Sequence, residues 1–430
     1  MHRRLGVQTV ERYVIQGGKR LSGKVRVSGA KNAILPVMAA CVLSGHECVI
    51  HEAPRLRDVA VMAEILTNLG VRVRISDEGR TLHLNAEGLN AFEIPTSLMR
   101  EIRSSIFLMG PLLGRLGRVR CSHPGGCAIG SRDIDLHLMG LSALGARLEE
   151  KFGYITADAP SLRGREIYLD LPSVGATENI MMAAVLAEGT TVIRNAAKEP
   201  EIVDLQNFLN RMGARVRGAG LDTVRVEGVA KLNPVEHTII PDRIETATFL
   251  VAVAATGGEV VLENVIPEHV EAAVAKLRET KALEVEMGHD RIFARGARRP
   301  QAVDLKTLPY PGFPTDLQPQ MMALCATAEG TSIITETIFE NRFKAADELR
   351  RMGADIKVDG RSAVVKGVKA LSPATVEAPA LREGVALVIA ALATEGRTVV
   401  DGIQHIDRGY EELEVKLQSL GADIRRPGSE

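Results

Sequence analysis

The stretch that decides the fold is DLQNFLNRMGARVRGAGLDTVRV, residues 204–226. From Leu205 to Met212 its apolar residues recur at the spacing of one helix face, and Gly213 follows directly. Glycine adopts a left-handed backbone at little cost and commonly stands just after a helix. Valines then alternate with polar residues on both sides of a Gly-Ala-Gly turn, which is typical of paired strands. The stretch therefore predicts an amphipathic helix, a glycine stop and a pair of strands.

The same arrangement recurs along the chain at a period of roughly 70 residues, the mark of an internal repeat. The residues at the helix stop are Gly70, Gly145, Gly213, Lys281, Gly353 and Gly421. A second series of glycines follows Ala-rich apolar segments: Gly45, Gly117, Gly189, Gly258, Gly330 and Gly396. Two independent series with one period predict six repeats, each with two helices that are each followed by a strand. At Lys281 either the helix ends differently or the backbone is strained.

One helix of each repeat has no polar face. Residues 179–187 are apolar after their first turn, and residues 384–393 are apolar throughout. Helices that are apolar on all sides belong in a core, and these are shorter than the ~18 apolar residues of a membrane span. Three repeats would place their buried helices at a centre with sheets outside, and six repeats would make two such domains.

The composition agrees with a globular protein that acts on small molecules. A chain of 430 residues is too long for one ordinary core. The net charge of −1, the aromatic content of 3% and the lack of Trp favour neither nucleic acid nor an anionic membrane as partner. Five cysteines without CxxC spacing predict reduced thiols in a cytoplasm and no zinc site. We interpret the first ten residues as a loose extension without the apolar segment of a signal peptide.

One cysteine stands apart from the others. Cys41 and Cys325 lie in apolar helical segments and are expected in the core. Cys127 lies instead in PGGCAIGSR, residues 124–132, where three glycines predict a mobile loop with exposed N–H groups. Arg132 is close enough in sequence to favour a thiolate. A reactive thiol and a flexible turn with an incidental thiol both remain open.

Four cationic residues stand near predicted helix starts in different repeats. They are Lys31, Arg103, Arg342 and Arg382. Helix N-termini attract anions, and convergent repeat ends would gather these charges into one pocket for a substrate with phosphate and carboxylate groups. A solvated helix face is the alternative for any one of them.

Asp316 ends the segment YPGFPTD, residues 310–316, in which two prolines and a glycine precede a predicted helix. An N-cap aspartate is the ordinary interpretation of this position. A general base is the functional interpretation.

Seven motifs occur in the order in which one enzyme family carries them. They are GAKN at 29–32, PGGCAIG at 124–130, SVGAT at 173–177, EPEIVD at 199–204, PDRIET at 241–246, FPTD at 313–316 and HIDRGY at 405–410. Through them the chain resembles the enolpyruvyl transferases, and among these the UDP-N-acetylglucosamine 1-carboxyvinyltransferases, from about residue 13 onward.

The resemblance implies the fold of that family, a two-domain inside-out α/β barrel with six βαβαββ repeats, three in each domain. The first domain would comprise residues 31–240 and carry the cysteine loop. The second would comprise residues 13–30 and 241–430, with residues 1–12 as a loose extension. The repeats read from the glycines agree with this architecture.

The resemblance also implies a role for each motif residue. Lys31 and Asn32 would contact phosphoenolpyruvate and sugar, with Lys31 counted among the catalytic groups. Arg132, Arg342 and Arg382 would hold the phosphate and carboxylate of phosphoenolpyruvate. The nucleotide-sugar site would be lined by Arg103, Arg132, Asp133, Ile134, Asp135, Leu136, Ser173, Val174 and Gly175. Asp316 and Ile338 would face the sugar. Cys127 would donate a proton and form a covalent adduct with phosphoenolpyruvate.

The implied reaction moves the enolpyruvyl group of phosphoenolpyruvate to the 3-hydroxyl of UDP-N-acetylglucosamine and releases phosphate. In the family this is the first committed step of peptidoglycan synthesis, it takes place in the cytoplasm and it is the target of fosfomycin. Addition followed by elimination needs one acid and one base, for which Cys127 and Asp316 are the candidates. Domains that close on the substrates would exclude water. The reaction requires no metal and no other cofactor.

Two other functions fit part of the pattern. A 5-enolpyruvylshikimate-3-phosphate synthase shares the fold and the donor but lacks the cysteine loop. A catalytically silent nucleotide-sugar-binding paralogue is suggested by Asp133, Leu171 and Lys344, where the chain departs from the family's pattern. The presence of Lys31 and Cys127 argues against it.

Overall fold

The computed structural model describes residues 11–125 and 134–427, and these divide into two units. The first unit comprises residues 28–242, with 309–312 added from later in the chain. The second comprises the residues before 28 together with 243–308 and those from 313 onward. The domain boundaries that the resemblance implies, after residues 30 and 240, stay predictions.

The chain begins with two strands of the second unit, β1 (Arg12–Gly17) and β2 (Leu21–Arg26). The first unit then contains β3 (Glu47–His51), β4 (Arg72–Ser76), β5 (Thr81–Asn85), β6 (Arg118–Ser122), β7 (Arg147–Lys151), β8 (Tyr154–Asp158), β9 (Glu166–Tyr168), β10 (Thr190–Arg194), β11 (Arg215–Arg217), β12 (Thr223–Glu227) and β13 (Val235–Thr238). Its helices are α1 (Lys31–Ala40), α2 (Arg57–Asn68), α3 (Thr96–Glu101), α4 (Met109–Leu116), α5 (Asp135–Ala143), α6 (Val174–Ala184) and α7 (Pro200–Arg211). Short 3-10 helices span Cys41–Leu43, Asp77–Gly79 and Arg103–Leu108.

The second unit continues with β14 (Gly258–Glu263), β15 (Leu283–Met287), β16 (Arg291–Gly296), β17 (Leu305–Lys306), β18 (Thr331–Thr335), β19 (Asp355–Asp359), β20 (Ser362–Lys366), β21 (Thr375–Glu377), β22 (Gly396–Asp401) and β23 (Asp423–Arg425). Its helices are α8 (Arg243–Thr256), α9 (Glu271–Glu279), α10 (Gln318–Cys325), α11 (Ala345–Arg351), α12 (Leu381–Ala393) and α13 (Leu413–Ser419). Its 3-10 helices span Pro267–Val270, Thr315–Leu317 and Ile403–Arg408.

The described residues form three sheets in each unit, and five of these six sheets share one pairing pattern. In the first unit the strand orders are β13-β3-β5-β4, β6-β8-β7 and β9-β10-β12-β11. In the second they are β2-β14-β16-β15, β17-β18-β20-β19 and β21-β22-β1-β23. Each four-stranded sheet has one parallel edge pair and two antiparallel pairs. In the three-stranded sheet a parallel bridge between Glu93 and Arg120 occupies the place of the parallel edge strand.

The core of each unit is built on buried helices, as the sequence predicts. Helices α1, α4 and α6 lie in the core of the first unit, and α8, α10 and α12 lie in that of the second. Helix α12 packs on both α8 and α10. No helix within residues 11–125 and 134–427 has the length and apolar character that crossing a membrane requires.

The repeat positions share a backbone conformation as well as a residue type. The five predicted helix-stop glycines have φ between 85° and 105°. Lys281, at the remaining place, has a φ of 56°. The helix before it therefore ends as in the other repeats, and the strained backbone is the correct alternative for Lys281. Five glycines of the second series also have positive φ, whereas Gly45 does not.

Residues 204–226 have the structure that their sequence predicts. Helix α7 ends at Arg211, Gly213 has a φ of 97°, and strands β11 and β12 pair antiparallel with Val216 opposite Val226.

Candidate active site

Two arginines of the second unit converge on one carboxylate. Arg342 donates from Nη2 to Asp316 Oδ1 at 2.8 Å. Arg382 donates to Asp316 Oδ2 from Nη2 at 3.1 Å and from Nε at 3.2 Å. Both guanidinium groups are buried, whereas 27% of the Asp316 side chain is exposed. The structure thus brings together three predicted residues that lie 26 and 66 positions apart in sequence.

Asp316 does not cap a helix. It lies within the 3-10 helix Thr315–Leu317, and neither this helix nor α10 after it has a side-chain cap. The N-cap interpretation is therefore wrong, because the carboxylate oxygens are turned toward the two guanidinium groups.

The arginines are supported by neighbours outside the predicted set. The Arg342 guanidinium lies 5.5 Å from the Phe339 ring centre, and that of Arg382 lies 5.2 Å from the Tyr410 ring centre. The Tyr410 hydroxyl is 2.9 Å from Thr248 Oγ1 and accepts from Gln320 at 3.3 Å. These contacts restrict how far the guanidinium groups can turn.

Glu336, which sequence reasoning missed, fixes the segment that carries Ile338. It is fully buried, and its Oε1 accepts from the Ile338 amide at 2.9 Å and from Thr307 Oγ1 at 2.7 Å. Its Oε2 accepts from Thr315 Oγ1 at 2.9 Å, and Arg342 donates to that hydroxyl at 3.3 Å. The half-buried Ile338 is thereby linked to the arginine cluster. No motif marks Glu336; its only signal is a carboxylate directly after an alternating strand.

Glu383, next to Arg382 at the start of α12, is the second missed carboxyl group. It is 1% exposed, and its Oε1 lies 3.8 Å from Arg342 Nε. Burial raises the pKa of Glu383, and the charge of Arg342 opposes that change. A carboxyl group directly before the apolar run of residues 384–393 is the signal that could have identified it.

In the first unit, Lys31 is the first residue of α1, as predicted. Its amide donates to Asp242 Oδ2 at 3.2 Å, and its Nζ lies 2.9 Å from Asp58 Oδ2. Lys31 and Asp58 are both buried, and Asn32 beside them is half-buried. The lysine is therefore held in place by a carboxylate that the sequence did not single out.

Three predicted segments of the first unit meet at Gly175. Ser173 caps α6 by accepting from the Ala176 amide at 3.3 Å. A Cβ at Gly175 would lie 3.0 Å from His137 Cε1 and 3.2 Å from Phe107 Cε1. The structure thus joins the start of α6 to the start of α5 and to the 3-10 helix that begins at Arg103. The remaining predicted residues of these segments are the half-buried Arg103, Leu136 and Val174, the buried Ile134 and the exposed Asp135.

Cys127, Arg132 and Asp133 lie outside the described residues. The chain that leads to them is described as far as Gly125, whose amide donates to Met99 O at 3.0 Å. A Cβ at Gly125 would lie 2.4 Å from Arg100 O, so only glycine fits there.

The four other thiols are all buried. Burial raises the pKa of Cys121 to about 12 and that of Cys325 to about 11, and it raises the pKa of Cys41 as well. The core positions predicted for Cys41 and Cys325 are confirmed.

The chain is similar to known proteins over nearly its whole length. The family model described as EPSP synthase (3-phosphoshikimate 1-carboxyvinyltransferase) matches residues 15–417. UDP-N-acetylglucosamine 1-carboxyvinyltransferase 1 of Symbiobacterium thermophilum is 67% identical, over 98% of this chain and 96% of its own length. The chain belongs to the UDP-N-acetylglucosamine 1-carboxyvinyltransferase family. A relative of the same name, numbered 2, from Caldanaerobacter subterraneus subsp. tengcongensis is 58% identical over 96% of this chain and 99% of its own length.

Solved structures show the fold of this carboxyvinyltransferase. The enolpyruvyl transferase NikO from Streptomyces tendae matches with a TM-score of 0.87 and 28% identity, over 97% of this chain and 99% of its own. An EPSP synthase from Acinetobacter baumannii matches with a TM-score of 0.76 and 18% identity, over the same shares of the two chains. The predictions of the fold class, the family and a transferase activity are confirmed.

This carboxyvinyltransferase also carries a buried carboxyl group outside the predicted site. Glu178 lies in α6, is fully buried, and makes no hydrogen bond from its carboxyl oxygens to any described residue. Burial, and then the charges of Glu201 and Glu199, raise the pKa of Glu178 well above its ordinary value of 4.5. The folded protein therefore holds a proton here that the unfolded chain releases at lower pH.

We expect Glu178→Gln to become more stable relative to wild type as the pH rises from about 5 to about 8, by at most about 1.4 kcal/mol per pH unit. The folded state binds more protons at this group than the unfolded state does, so wild-type stability falls as pH rises above 4.5. The glutamine variant has no such proton to lose. Melting temperatures of both proteins across this range measure the effect. Glu188→Gln, at an exposed position, is the control; an identical pH dependence in the two variants would contradict the assignment.

Proposed function

We propose that this chain transfers the enolpyruvyl group of phosphoenolpyruvate to the 3-hydroxyl of UDP-N-acetylglucosamine and releases phosphate. The observation that carries the proposal is the pair of buried guanidinium groups on one partly exposed carboxylate. Two fixed cations that share one anion suit a small substrate with several negative charges. The names of the 67% and 58% identical relatives support the same acceptor and the same transferred group.

The donor would be bound by Arg132, Arg342 and Arg382. Guanidinium groups match the geometry of phosphate and carboxylate, and their charges would stabilise the phosphate as it leaves. Both carboxylate oxygens of Asp316 accept hydrogen bonds from Arg342 and Arg382. An incoming anion that takes over these guanidinium groups would free the oxygens of Asp316. Donor binding would in this way prepare Asp316 to accept the proton of the sugar hydroxyl.

The acceptor would be bound by the segments that meet at Gly175, together with Lys31 and Asn32. The N-terminus of α6 offers backbone N–H groups to an anion such as a diphosphate. The proposed lining consists of Arg103, Arg132, Asp133, Ile134, Asp135, Leu136, Ser173, Val174 and Gly175. Asp316 and Ile338 would face the sugar. Lys31, with its charge balanced by Asp58, would be held at a fixed position for the reacting groups.

Cys127 is proposed as the acid. It would deliver a proton to C3 of phosphoenolpyruvate while the hydroxyl oxygen bonds to C2, which completes the addition. Loss of a proton from C3 and departure of phosphate from C2 would then give the enol ether. The same thiol would form the adduct with phosphoenolpyruvate and would react with fosfomycin. The described cysteines are buried, and a raised pKa keeps Cys41, Cys121 and Cys325 protonated, so none of those three competes as the nucleophile.

We place the reaction in the cytoplasm, in the first committed step of peptidoglycan synthesis, with small molecules as partners and neither nucleic acid nor membrane. The rival acceptor, shikimate 3-phosphate, has weaker support. The EPSP synthase structures are 18% and 19% identical to this chain, which shows a shared fold alone.

We expect phosphate release from phosphoenolpyruvate to require UDP-N-acetylglucosamine. The test measures phosphate with the donor alone, with UDP-N-acetylglucosamine and with shikimate 3-phosphate. Release only with shikimate 3-phosphate would replace the proposed acceptor. No release with either acceptor, but binding of UDP-N-acetylglucosamine by calorimetry, would favour the silent nucleotide-sugar-binding paralogue.

A further inference from the structure

A second carboxyl group faces Arg342 at a nitrogen that Asp316 does not use. Arg342 donates from Nη2 to Asp316 and from Nη1 to Thr315. Its third nitrogen, Nε, has no hydrogen-bond partner among the described residues. A carboxyl oxygen, Glu383 Oε1, lies 3.8 Å from it and also lacks such a partner.

These two atoms are complementary and nearly in contact. Buried polar groups are almost always hydrogen-bonded. A buried donor and a buried acceptor that lie close together without a hydrogen bond are therefore an exception that needs an explanation. The separation of 3.8 Å is within ion-pair range but too long for a hydrogen bond. Arg342 is held at this distance by its bonds to Asp316 and Thr315. A shift of less than about 1 Å would join Nε to Glu383.

We propose that Glu383 is a positioning residue, whose carboxyl group accepts a hydrogen bond from Arg342 Nε once a substrate anion has drawn Arg342 away from Asp316. The inference rests on the proposed function, in which Arg342 binds phosphoenolpyruvate. A guanidinium held at Nε presents Nη1 and Nη2 together, which is the fork that binds phosphate or carboxylate through two parallel bonds. Glu383 thereby keeps the orientation of Arg342 while Asp316 becomes available as the base.

The competing explanation is that Glu383 is only a tolerated carboxyl group in the core. The two explanations predict different effects when Glu383 is replaced by an apolar side chain. A buried carboxyl group with an unsatisfied oxygen disfavours the folded state, and without Glu383 the charge of Arg342 is still balanced by Asp316. An apolar side chain of similar length should therefore leave the protein as stable or more stable. If Glu383 positions Arg342, the same change should weaken donor binding. Only a positioning role makes stability and donor affinity move in opposite directions.

The test uses Glu383→Met, which removes the acceptor, and Glu383→Gln, whose amide oxygen can still accept from Nε. We expect Glu383→Met to raise the KM for phosphoenolpyruvate about tenfold, with kcat and the KM for the acceptor changed less than about threefold. Its melting temperature should equal or exceed that of wild type. Glu383→Gln should stay within about threefold of wild type in all three constants. Leu387→Met, a volume-conserving change on the same helix, is the matched control.

The proposal would be overturned if Glu383→Met had the wild-type KM for phosphoenolpyruvate. It would also be overturned if Glu383→Gln raised this KM as much as Glu383→Met does. In an Arg342→Lys background, Glu383→Met should not raise the KM for phosphoenolpyruvate further, because the effect of Glu383 passes through Arg342. Additive increases in this KM would also overturn the proposal. If Glu383→Met does not fold, Glu383→Ala takes its place in each comparison.

Binding of inorganic phosphate, read as a rise in melting temperature, tests the contact without turnover. A given rise in melting temperature should need about tenfold less phosphate in wild type than in Glu383→Met. Equal phosphate dependence would overturn the role of Glu383. Absence of phosphate release from phosphoenolpyruvate by wild type would instead overturn the proposed function.

Discussion

The Asp316→Asn enzyme is expected to turn over about 10²- to 10⁴-fold more slowly than wild type under saturating substrates. Asparagine has the same shape as aspartate, but its amide oxygen cannot take the proton of the sugar hydroxyl. Because the bound sugar need not lose any contact, the KM for the acceptor should change little. Steady-state kinetics with both substrates varied would measure these effects.

The same variant should bind the donor at least as well as wild type. Without the charge of Asp316, the guanidinium groups of Arg342 and Arg382 are left with less negative charge nearby and should attract an anion more strongly. Removal of one partner from a buried ion pair costs about 3–5 kcal/mol, and the partial exposure of Asp316 lowers that figure. We therefore expect a lower melting temperature that inorganic phosphate restores.

Asp355→Asn, at an exposed strand position, is the matched control for charge removal and should change neither kinetics nor stability. A folded Asp316→Asn enzyme with near wild-type kcat would remove Asp316 from the mechanism and leave it as a counter-charge for the two arginines.

The repeat architecture was predictable because it depends on local backbone requirements. A left-handed residue must follow each helix, and glycine meets that need at the lowest cost, so the requirement is visible in the sequence. Lys281 shows the limit of this argument. It adopts the same left-handed conformation, with a φ of 56°, although it is not glycine. Only the regular spacing of the glycines in the other repeats identifies it as a helix-stop position.

The sequence singles out three cations and the carboxylate of Asp316, but not the other carboxyl groups around them. Lys31, Arg342 and Arg382 stand beside helix starts or in recognisable motifs, which local sequence can show. Asp58, Glu336 and Glu383 matter through contacts with residues that are distant in sequence, and no local pattern specifies such contacts. The interpretation of Asp316 as an N-cap was wrong for the same reason, because its partners are 26 and 66 residues away.

Cys127→Ser should lower turnover far more than Cys127→Asp. An acid that gives a proton to carbon contributes about 10²- to 10⁴-fold to the rate when its pKa suits the working pH. A carboxylic acid can donate that proton, whereas a serine hydroxyl is too weak an acid, so the aspartate variant should keep measurable activity. Phosphate release by the three proteins at equal concentration compares them. Equal activity of Cys127→Ser and wild type would show that another group is the acid.

Reaction with fosfomycin separates the thiol's role as an acid from its role as a nucleophile. Wild type should be modified at Cys127, and faster when UDP-N-acetylglucosamine is present. The Cys127→Asp enzyme should resist the drug while it still turns over, because a carboxylate is a poor nucleophile toward an epoxide. The buried cysteines serve as internal controls, since a buried protonated thiol reacts poorly. Mass spectrometry locates the adduct; modification mainly at Cys41, Cys48, Cys121 or Cys325 would mean that Cys127 is neither the reactive thiol nor the site of the phosphoenolpyruvate adduct.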